Sequence, residues 1–276
     1  MESDPNHPWQ LVCVKWGTRY GPEFVNRLYA MVQRNTSRPV RFICLTDDST
    51  GVRPEVECVD LPPLPCEHPK KTPGKWRKLV LWSRTLPGIQ GPLLFVDLDS
   101  VIVGSLDGYF THGDPHDVIL ARNWMRPAQR LGQTSVFRFF VGENPQILEG
   151  FCADPQGVAD RYHFEQHYVT ATARGGIKLW PGSWTRHFRF HCLPRFPLRY
   201  WMPPRLPKGA KIVTFPGGPD PGFVGEGRWS EKSPPHEGRL AHVAAAFGPE
   251  RNAKSPWKHL KRYVRASEWV AESWRE

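Results

Sequence analysis

Residues 93–103, LLFVDLDSVIV, place two carboxylates, Asp97 and Asp99, between two apolar runs. Four apolar residues in succession are typical of a fully buried strand. Side chains two residues apart on an extended chain point to the same side, so both carboxylates can face one cation. Open α/β sheets bind ligands at the carboxyl ends of their strands, and paired carboxylates suit a divalent metal. The alternative is an exposed turn after a strand, which the apolar residues on both sides disfavour.

Strand and helix patterns alternate through the first part of the chain. Alternation of this kind predicts a mostly parallel sheet with crossover helices, an α/β fold. The second half is less regular, and it includes a loop over 216–238 that is rich in Gly and Pro. The predicted strands are 11–16, 40–45, 56–61, 93–96, 117–121, 135–141, 177–180, 184–192 and 211–215, and the main predicted helices are 24–32, 75–85 and 257–274.

Composition narrows the class of protein. The chain has 276 residues and lacks a run of eighteen apolar residues, so no membrane span is expected. Its first eight residues show neither the basic start nor the apolar run of a secretion signal, and we expect a cytoplasmic protein. The six cysteines are scattered, which suggests neither a zinc site nor a disulfide framework. Cys13 and Cys44, inside apolar strands, are expected to be reduced core thiols.

The net charge of +10 favours an anionic partner, although a basic surface can also exist without one. Basic and aromatic residues mix most densely over 186–205, a blend that suits lipid headgroups and an interfacial belt. The predicted basic helix at 257–274 carries Trp269 and Trp274, which either pack on the domain or dock on an anionic membrane. No zinc finger or aromatic RNA-binding signature is present, so no nucleic-acid partner is expected.

The segment 94–100 is similar to the first motif of haloacid-dehalogenase-type phosphatases. In that family the first Asp is a nucleophile and the second is an acid/base. Two features disagree with this alternative: Ser100 stands where the family has Gly, and strand–helix units precede the motif instead of following it.

A second resemblance extends over most of the chain. Several segments, in this order, are similar to motifs of GT-A-type nucleotide-sugar glycosyltransferases, specifically the glycogenin-like family eight and its bacterial relatives. These segments are the loop 14–20 after the first strand, Thr46-Asp47-Asp48, the helix 77–82 with Lys78, Asp97-Leu98-Asp99, Glu165-Gln166 and the glycine loop 215–221.

The resemblance implies a GT-A, Rossmann-like, mostly parallel sheet flanked by helices, with an irregular acceptor-side half. It implies one domain over 1–276, with a nucleotide-binding half at 1–110 and an acceptor half at 111–276. It also assigns the site residues. Asp97 and Asp99 would bind Mn²⁺ or Mg²⁺; Thr18, Tyr20, Asp47, Lys78, Leu98 and Gly217 would bind the UDP-sugar; Glu165 and Gln166 would face the sugar and the acceptor.

One departure from the family concerns the metal. The family usually supplies a third metal ligand from a His in the late loop, whereas Thr214 and Pro216 occupy the candidate positions here. Either Asp220 or water would complete the metal's ligands, or metal binding is weak.

The expected function is a metal-dependent transfer of a hexose from a UDP-sugar to a saccharide or lipid-linked acceptor. By resemblance, the outcome is retaining and the setting is bacterial surface polysaccharide or lipopolysaccharide synthesis, with peripheral contact to the inner membrane face. The rival hypothesis is a basic binding protein that has kept the fold and lost the chemistry.

Overall fold

The computed structural model describes residues 8–70, 73–126 and 128–276, with the backbone alone for 73–75. Its described residues form two compact units. The first unit falls within Met1–Leu98 and Ser105–Gly182, and the second comprises Asp99–Gly104 and Ser183–Glu276. The expected single domain with a functional division at residue 110 stays a prediction, since compactness alone does not assign function.

Ten strands, β1 to β10, form within the described residues. In chain order they are Trp9–Lys15, Val40–Thr46, Glu57–Asp60, Pro92–Val96, Ser100–Ile102, Ile119–Arg122, Gly132–Phe140, Lys178–Leu179, Thr185–His187 and Ile212–Thr214.

Nine α-helices, α1 to α9, accompany them in the same part of the chain. In chain order they are Pro22–Arg34, Asp107–Thr111, Gln146–Ala153, Pro155–Arg161, Glu165–Thr172, Pro221–Gly225, Arg239–Ala245, Pro256–Leu260 and Glu268–Ser273. The described residues also form two 3₁₀-helices, Pro73–Trp82 and Leu198–Tyr200, and one π-helix, Phe188–Cys192. None of the helices in the described ranges has the length and apolar character needed to span a bilayer.

A seven-stranded sheet forms the centre of the first unit, in the order β3-β2-β1-β4-β7-β6-β8. The first four strands in this order are parallel, β7 runs antiparallel to both of its neighbours, and β8 is parallel to β6. The sheet is therefore mostly parallel and mixed at one side. The sequence-based prediction of an α/β sheet is confirmed.

Stacked aromatic rings pack one face of this sheet. Trp82 stacks on Phe137 at 5.5 Å, and Phe95 stacks on Phe137 at 4.9 Å between ring centroids. Trp76 and Trp82, both almost fully buried, come from the 3₁₀-helix Pro73–Trp82. The predicted helix at 75–85 is thus a 3₁₀-helix. Its apolar residues at 76, 79 and 82 repeat every three positions, which aligns them on one face of that tighter turn.

The second unit is built on a small sheet in the order β5-β10-β9. Here the predicted strand 184–192 is mostly wrong, because only Thr185–His187 is extended. The backbone then turns into the π-helix, and the His187 ring stabilises that turn by accepting a hydrogen bond from the Arg189 amide at 3.1 Å.

The predicted single helix over 257–274 is also wrong: α8 ends at Leu260 and α9 begins at Glu268. At the end of α8, side chains donate hydrogen bonds to the backbone carbonyls that would accept from amides if the helix continued. The Tyr200 hydroxyl donates to the Leu260 carbonyl at 3.0 Å, and Arg199 donates to the Lys261 carbonyl. Trp274 is buried, so the packing alternative holds for this residue.

The cysteines differ in part from expectation. Cys13 and Cys44 are buried thiols, as predicted, but Cys66 and Cys152 form a disulfide. Their Cα atoms lie 5.3 Å apart although 86 positions separate them in sequence. That separation leaves no spacing pattern from which the pair could be predicted. Residues 1–7, which belong to the N-terminal segment examined for a secretion signal, lie outside the described residues.

Candidate active site

The sheet of the first unit has a topological switch point between β1 and β4. From β1 the chain order runs outward through β2 and β3, and it then returns to place β4 on the other side of β1. Both strands are parallel, with Leu11 opposite Leu94 and Val12 opposite Phe95. Open α/β sheets bind ligands outside the carboxyl ends of strands at such a point. The residues that follow β1 and β4 are therefore the first candidates for a site.

The loop after β1 is anchored by the residue that follows β2. The Asp47 carboxylate accepts a hydrogen bond from the Gly17 amide at 3.0 Å. Thr18 and Tyr20 lie on the anchored loop, and the Arg19 guanidinium is 4.9 Å from the Tyr20 ring centroid. The structure thus brings Thr18, Tyr20 and Asp47 to one edge of the sheet, and Asp47 positions the loop that carries the other two.

Lys15 belongs to this edge and was not predicted. It ends β1 with only 3% of its surface exposed, and its ammonium donates to the Asp48 carbonyl at 2.7 Å. The sequence feature that could have identified it is a Lys at the end of an apolar strand, because a buried cation needs nearby acceptors.

Asp97 follows β4 and forms an ion pair with Lys78. Its amide donates to the Ser135 carbonyl at 2.8 Å, which continues the pairing of β4 with β7. The Lys78 ammonium lies 2.7 Å from the Asp97 carboxylate and 3.0 Å from the Thr134 carbonyl oxygen. It is also 4.5 Å from the Phe95 ring centroid. The 3₁₀-helix thus supplies a fixed cation at the carboxyl end of β4.

Glu165 is a buried carboxyl beside this pair. It begins α5, and one of its oxygens accepts a hydrogen bond from the Thr134 hydroxyl at 2.7 Å. Its other oxygen, Oε1, is buried and has no hydrogen-bond partner within the described residues. Burial raises the pKa of Glu165 to about 7, against the opposing charge of Lys78 and the Thr134 hydrogen bond. A buried, incompletely paired carboxyl that titrates near neutrality is characteristic of functional sites.

Gln166 and Leu98 have different surroundings. Gln166 is the next residue of α5 and is partly exposed, while its backbone carbonyl accepts from the Thr170 hydroxyl. The Leu98 side chain is almost fully buried, which leaves its backbone for the predicted contact with a donor.

The other two predicted residues lie in the second unit. Asp99 precedes β5, and its carbonyl accepts from the Phe215 amide at 3.1 Å. Gly217 comes three residues after β10, with φ at +77°, a conformation that glycine adopts without strain. Because β5 and β10 are antiparallel, Asp99 and the glycine loop lie at the same end of the small sheet.

The donor atoms suit a hard cation. Asp97 and Asp99 offer carboxylate oxygens, which Mg²⁺ and Mn²⁺ prefer. Within the described residues, one cluster of three potential ligands has its ligand atoms within 4.8 Å of one another: Glu237, His242 and His259. Both nitrogens of each imidazole in that cluster already have hydrogen-bond partners in the protein. It is therefore a hydrogen-bonded core element and a poor metal site.

Comparison with solved structures identifies the fold. The galactosyltransferase LgtC, crystallised with donor and acceptor sugar analogues, superimposes with a TM-score of 0.55 over 77% of this chain and 88% of LgtC at 11% identity. The bifunctional glycosyltransferase WbbM gives 0.53 over 80% of this chain at 10% identity, and the chain spans only 48% of WbbM. The glycosyltransferase GlyE of Streptococcus pneumoniae TIGR4 gives 0.50 over 97% of this chain and 63% of GlyE at 12% identity.

No protein-family profile matches the sequence, and no curated protein matches it either. The structural likeness nevertheless identifies the architecture. The chain has the fold of GT-A-type glycosyltransferases, as the order of its motifs predicts.

Proposed function

We propose that this chain is a metal-dependent glycosyltransferase that moves a hexose from a UDP-sugar to a saccharide or lipid-linked acceptor. The observation that carries the proposal is the Lys78–Asp97 ion pair at the switch point of a GT-A sheet, 2.7 Å between charged atoms. A cation fixed at this edge can contact the phosphates of a nucleoside diphosphate, and the carboxylate beside it can ligate a divalent metal.

The chemical problem is the departure of the diphosphate. Negative charge grows on this group as the bond to the sugar breaks, and fixed positive charge stabilises it. Lys78 is already oriented by Asp97 and by the Thr134 carbonyl, so little reorganisation accompanies its interaction with the phosphates. Thr18, Tyr20 and the Asp47-anchored loop would bind the nucleoside, and Gly217 would let backbone approach the phosphates.

Asp97 and Asp99 would hold the metal, Mn²⁺ or Mg²⁺. Only Leu98 separates them in the chain, so one short segment supplies both carboxylates. A divalent ion bound there neutralises charge on the leaving diphosphate. Its remaining ligands would come from Asp220 or water, or metal binding is weak, because the glycine loop 215–221 contains no His.

Glu165 and Gln166 would face the sugar. The Glu165 Oε1 atom is buried without a partner, and a hydroxyl of the donor sugar can supply one. Since the pKa of Glu165 is about 7, the carboxyl can accept or donate this hydrogen bond near neutral pH. Gln166, partly exposed beside it, would contact the sugar or the acceptor hydroxyl. The retaining outcome remains part of the proposal by resemblance.

The structure bears differently on the two alternative functions. The phosphatase alternative is disfavoured because Asp97 follows the fourth strand of a GT-A sheet and not the first. The basic binding protein remains a rival, and it would bind ligands without turnover. The proposed setting is bacterial surface polysaccharide or lipopolysaccharide synthesis at the inner face of an anionic membrane.

Calorimetric titration with UDP tests the proposal directly. We expect binding in Mn²⁺ that is lost in EDTA and lost in Asp99→Asn. The matched control is Asp160→Asn, which changes an exposed carboxylate on α4 and should bind as the unmodified protein does. Release of UDP from UDP-glucose or UDP-galactose should follow the same pattern. Equal heats in all conditions would contradict the nucleotide site, and binding without UDP release would favour the rival.

A further inference from the structure

Two segments of the second unit bring exposed aromatic and aliphatic side chains together. Trp201 is 58% exposed, Trp257 is 54% exposed and Leu198 is 54% exposed. Single exposed apolar side chains are common on protein surfaces, but several that lie together mark an interaction site. They lie on residues 194–208 and 254–265, which we call the basic-aromatic surface.

Side-chain contacts make this surface continuous. The Trp257 ring lies 4.9 Å from Phe196 between ring centroids, and the Lys261 ammonium is 4.8 Å from the Trp257 centroid. Arg265 donates to the Trp201 carbonyl at 2.5 Å, so the second segment also reaches the other exposed Trp. The two segments therefore form one surface although they are distant in sequence.

The charge of this surface has a single sign. Neither segment contains an Asp or a Glu. Together they contain nine basic residues: Arg195, Arg199, Arg205, Lys208, Lys254, Lys258, Lys261, Arg262 and Arg265. Several of these cations are exposed, among them Arg205, Lys258 and Lys261. A concentration of this kind attracts an anionic partner from solution.

The combination of Trp with Lys and Arg narrows the class of partner. Trp side chains concentrate at the level of lipid headgroups, where the ring is partly apolar and partly wet. Basic residues near an anionic leaflet each add to the attraction. A soluble polyanion would use the charges and would leave the aliphatic Leu198 in water. Of the two Trp residues on the predicted helix 257–274, Trp274 is buried, and Trp269 is only partly exposed and donates to the Pro204 carbonyl of the first segment.

We propose that the basic-aromatic surface docks the second unit on an anionic phospholipid leaflet, with Trp201 and Trp257 at headgroup depth. This docking would bring the proposed transferase to lipid-linked acceptors, but it does not depend on transferase activity. It retains basic residues of the segments 186–205 and 257–274 that the sequence connects with an anionic partner, and it assigns the aromatic contact to Trp201 and Trp257.

Vesicle flotation of the full chain tests the docking. We expect the protein to float with phosphatidylcholine vesicles that contain phosphatidylglycerol, to stay behind with pure phosphatidylcholine, and to detach as salt is raised. The triple variant Arg205→Gln/Lys258→Gln/Lys261→Gln should bind about a hundredfold more weakly, at about fivefold per charge. The control Lys70→Gln/Arg161→Gln/Lys232→Gln removes the same charge from exposed positions elsewhere and should still float.

The aromatic residues need a separate test. In vesicles with brominated acyl chains, Trp fluorescence should be quenched, and Trp201→Ser/Trp257→Ser should remove that quenching and weaken flotation about tenfold or more. The matched control is Leu240→Ser/Phe247→Ser, which changes two side chains that are 87% and 72% exposed in the same unit. Circular dichroism and thermal unfolding of every variant show that the fold is intact, independently of the nucleotide site.

Three results would overturn the docking. These are absence of flotation at low salt, equal loss in the test and control variants, and binding to anionic vesicles without any quenching of Trp. The last result would show that this surface binds negative charge alone, and its partner would then be a soluble polyanion. None of them would bear on the nucleotide site, which is measured by calorimetry without vesicles.

Discussion

The two units bury ionisable groups in different ways. In the first unit, Glu165 is buried with one oxygen unpaired, beside the Lys78–Asp97 ion pair. In the second unit, His242 and His259 are buried with every ring nitrogen hydrogen-bonded inside the protein. Burial of a polar group costs free energy unless it is paired, so complete pairing suits a structural role. The unpaired oxygen of Glu165 marks a place where a ligand can contribute the missing partner.

Removal of Lys78 should have the largest effect. Lys78→Met leaves Asp97 without its cation and deprives the proposed diphosphate site of positive charge, so we expect UDP release from a UDP-sugar to fall by about 10²–10³-fold. The matched control is Lys178→Met, which removes the cation of another Lys–Asp pair, at 2.8 Å from Asp117. The Lys178 side chain is 61% exposed, and its loss should cost about 1 kcal/mol of stability or less and no activity. Equal losses of UDP release in both variants would show that the Lys78–Asp97 pair acts no differently from an ordinary surface ion pair.

Replacement of Glu165 should change how the stability of the protein depends on pH, because this carboxyl is buried with one oxygen unpaired. Because the pKa of Glu165 is about 7 when folded and about 4.5 when unfolded, the folded state retains a proton that the unfolded state has released. Stability from this group is therefore complete below about pH 4.5 and is lost as pH rises through 7. Glu165→Gln cannot titrate, so relative to the unmodified protein it should gain up to about 3 kcal/mol between about pH 5 and pH 8.

Denaturant unfolding at several pH values measures this difference. Glu231→Gln, at an exposed position in the second unit, is the control and should show no such trend. A difference between Glu165→Gln and the unmodified protein that stays constant with pH would contradict the raised pKa. UDP release at neutral pH, measured on the same variant, should fall if Glu165 contacts the sugar as a carboxylate.

The contrast between the units also explains which parts of the fold and of the site could be predicted from the sequence. In the first unit, strands of five to seven mostly apolar residues end at Lys15, Thr46 and Val96, and the motif residues follow them closely. Periodicity and chain order were enough to predict this sheet and to place Asp97 and Asp47 at its edge. Glu165 was selected by resemblance, but its burial, its pKa and its link through Thr134 depend on contacts 31 residues apart in sequence.

The second unit was harder because its strands β5, β9 and β10 have three residues each. Three residues are too few to show an alternating pattern. Its helices end where side chains such as Arg199 and Tyr200 bind backbone carbonyls about 60 residues away, so the predicted basic helix became two short ones. The basic composition of 186–205 did indicate an anionic partner, but which Trp residues are exposed is decided by tertiary packing.

The fully paired cluster of the second unit should respond through stability and not through activity. His242 and His259 stack at 4.2 Å, and the Nε2 atom of each ring donates to the backbone carbonyl of the other residue at 3.0 Å. His259→Phe retains an aromatic ring in the stack but leaves the Asn252 amide without its acceptor and the His242 carbonyl with the Ala246 amide as its remaining donor, at 3.3 Å. We expect a loss of about 2 kcal/mol in the free energy of unfolding, with UDP affinity unchanged. His68→Phe, at an exposed position, is the control.

The smallest expected effect is the acid response of His259, whose sign is opposite to that of Glu165. Burial and the neighbouring His242 lower the pKa of His259, and its Nδ1 must stay unprotonated to accept from the Asn252 amide at 3.1 Å. A lowered pKa means that stability from this group is present above the unfolded value of about 6.5 and is lost as pH falls through the folded value. On acidification, the stability of His259→Phe relative to the unmodified protein should therefore rise, whereas the relative stability of Glu165→Gln should fall. If the relative stabilities of both variants changed with the same sign on acidification, the distinction between an unpaired carboxyl and a fully paired imidazole would fail.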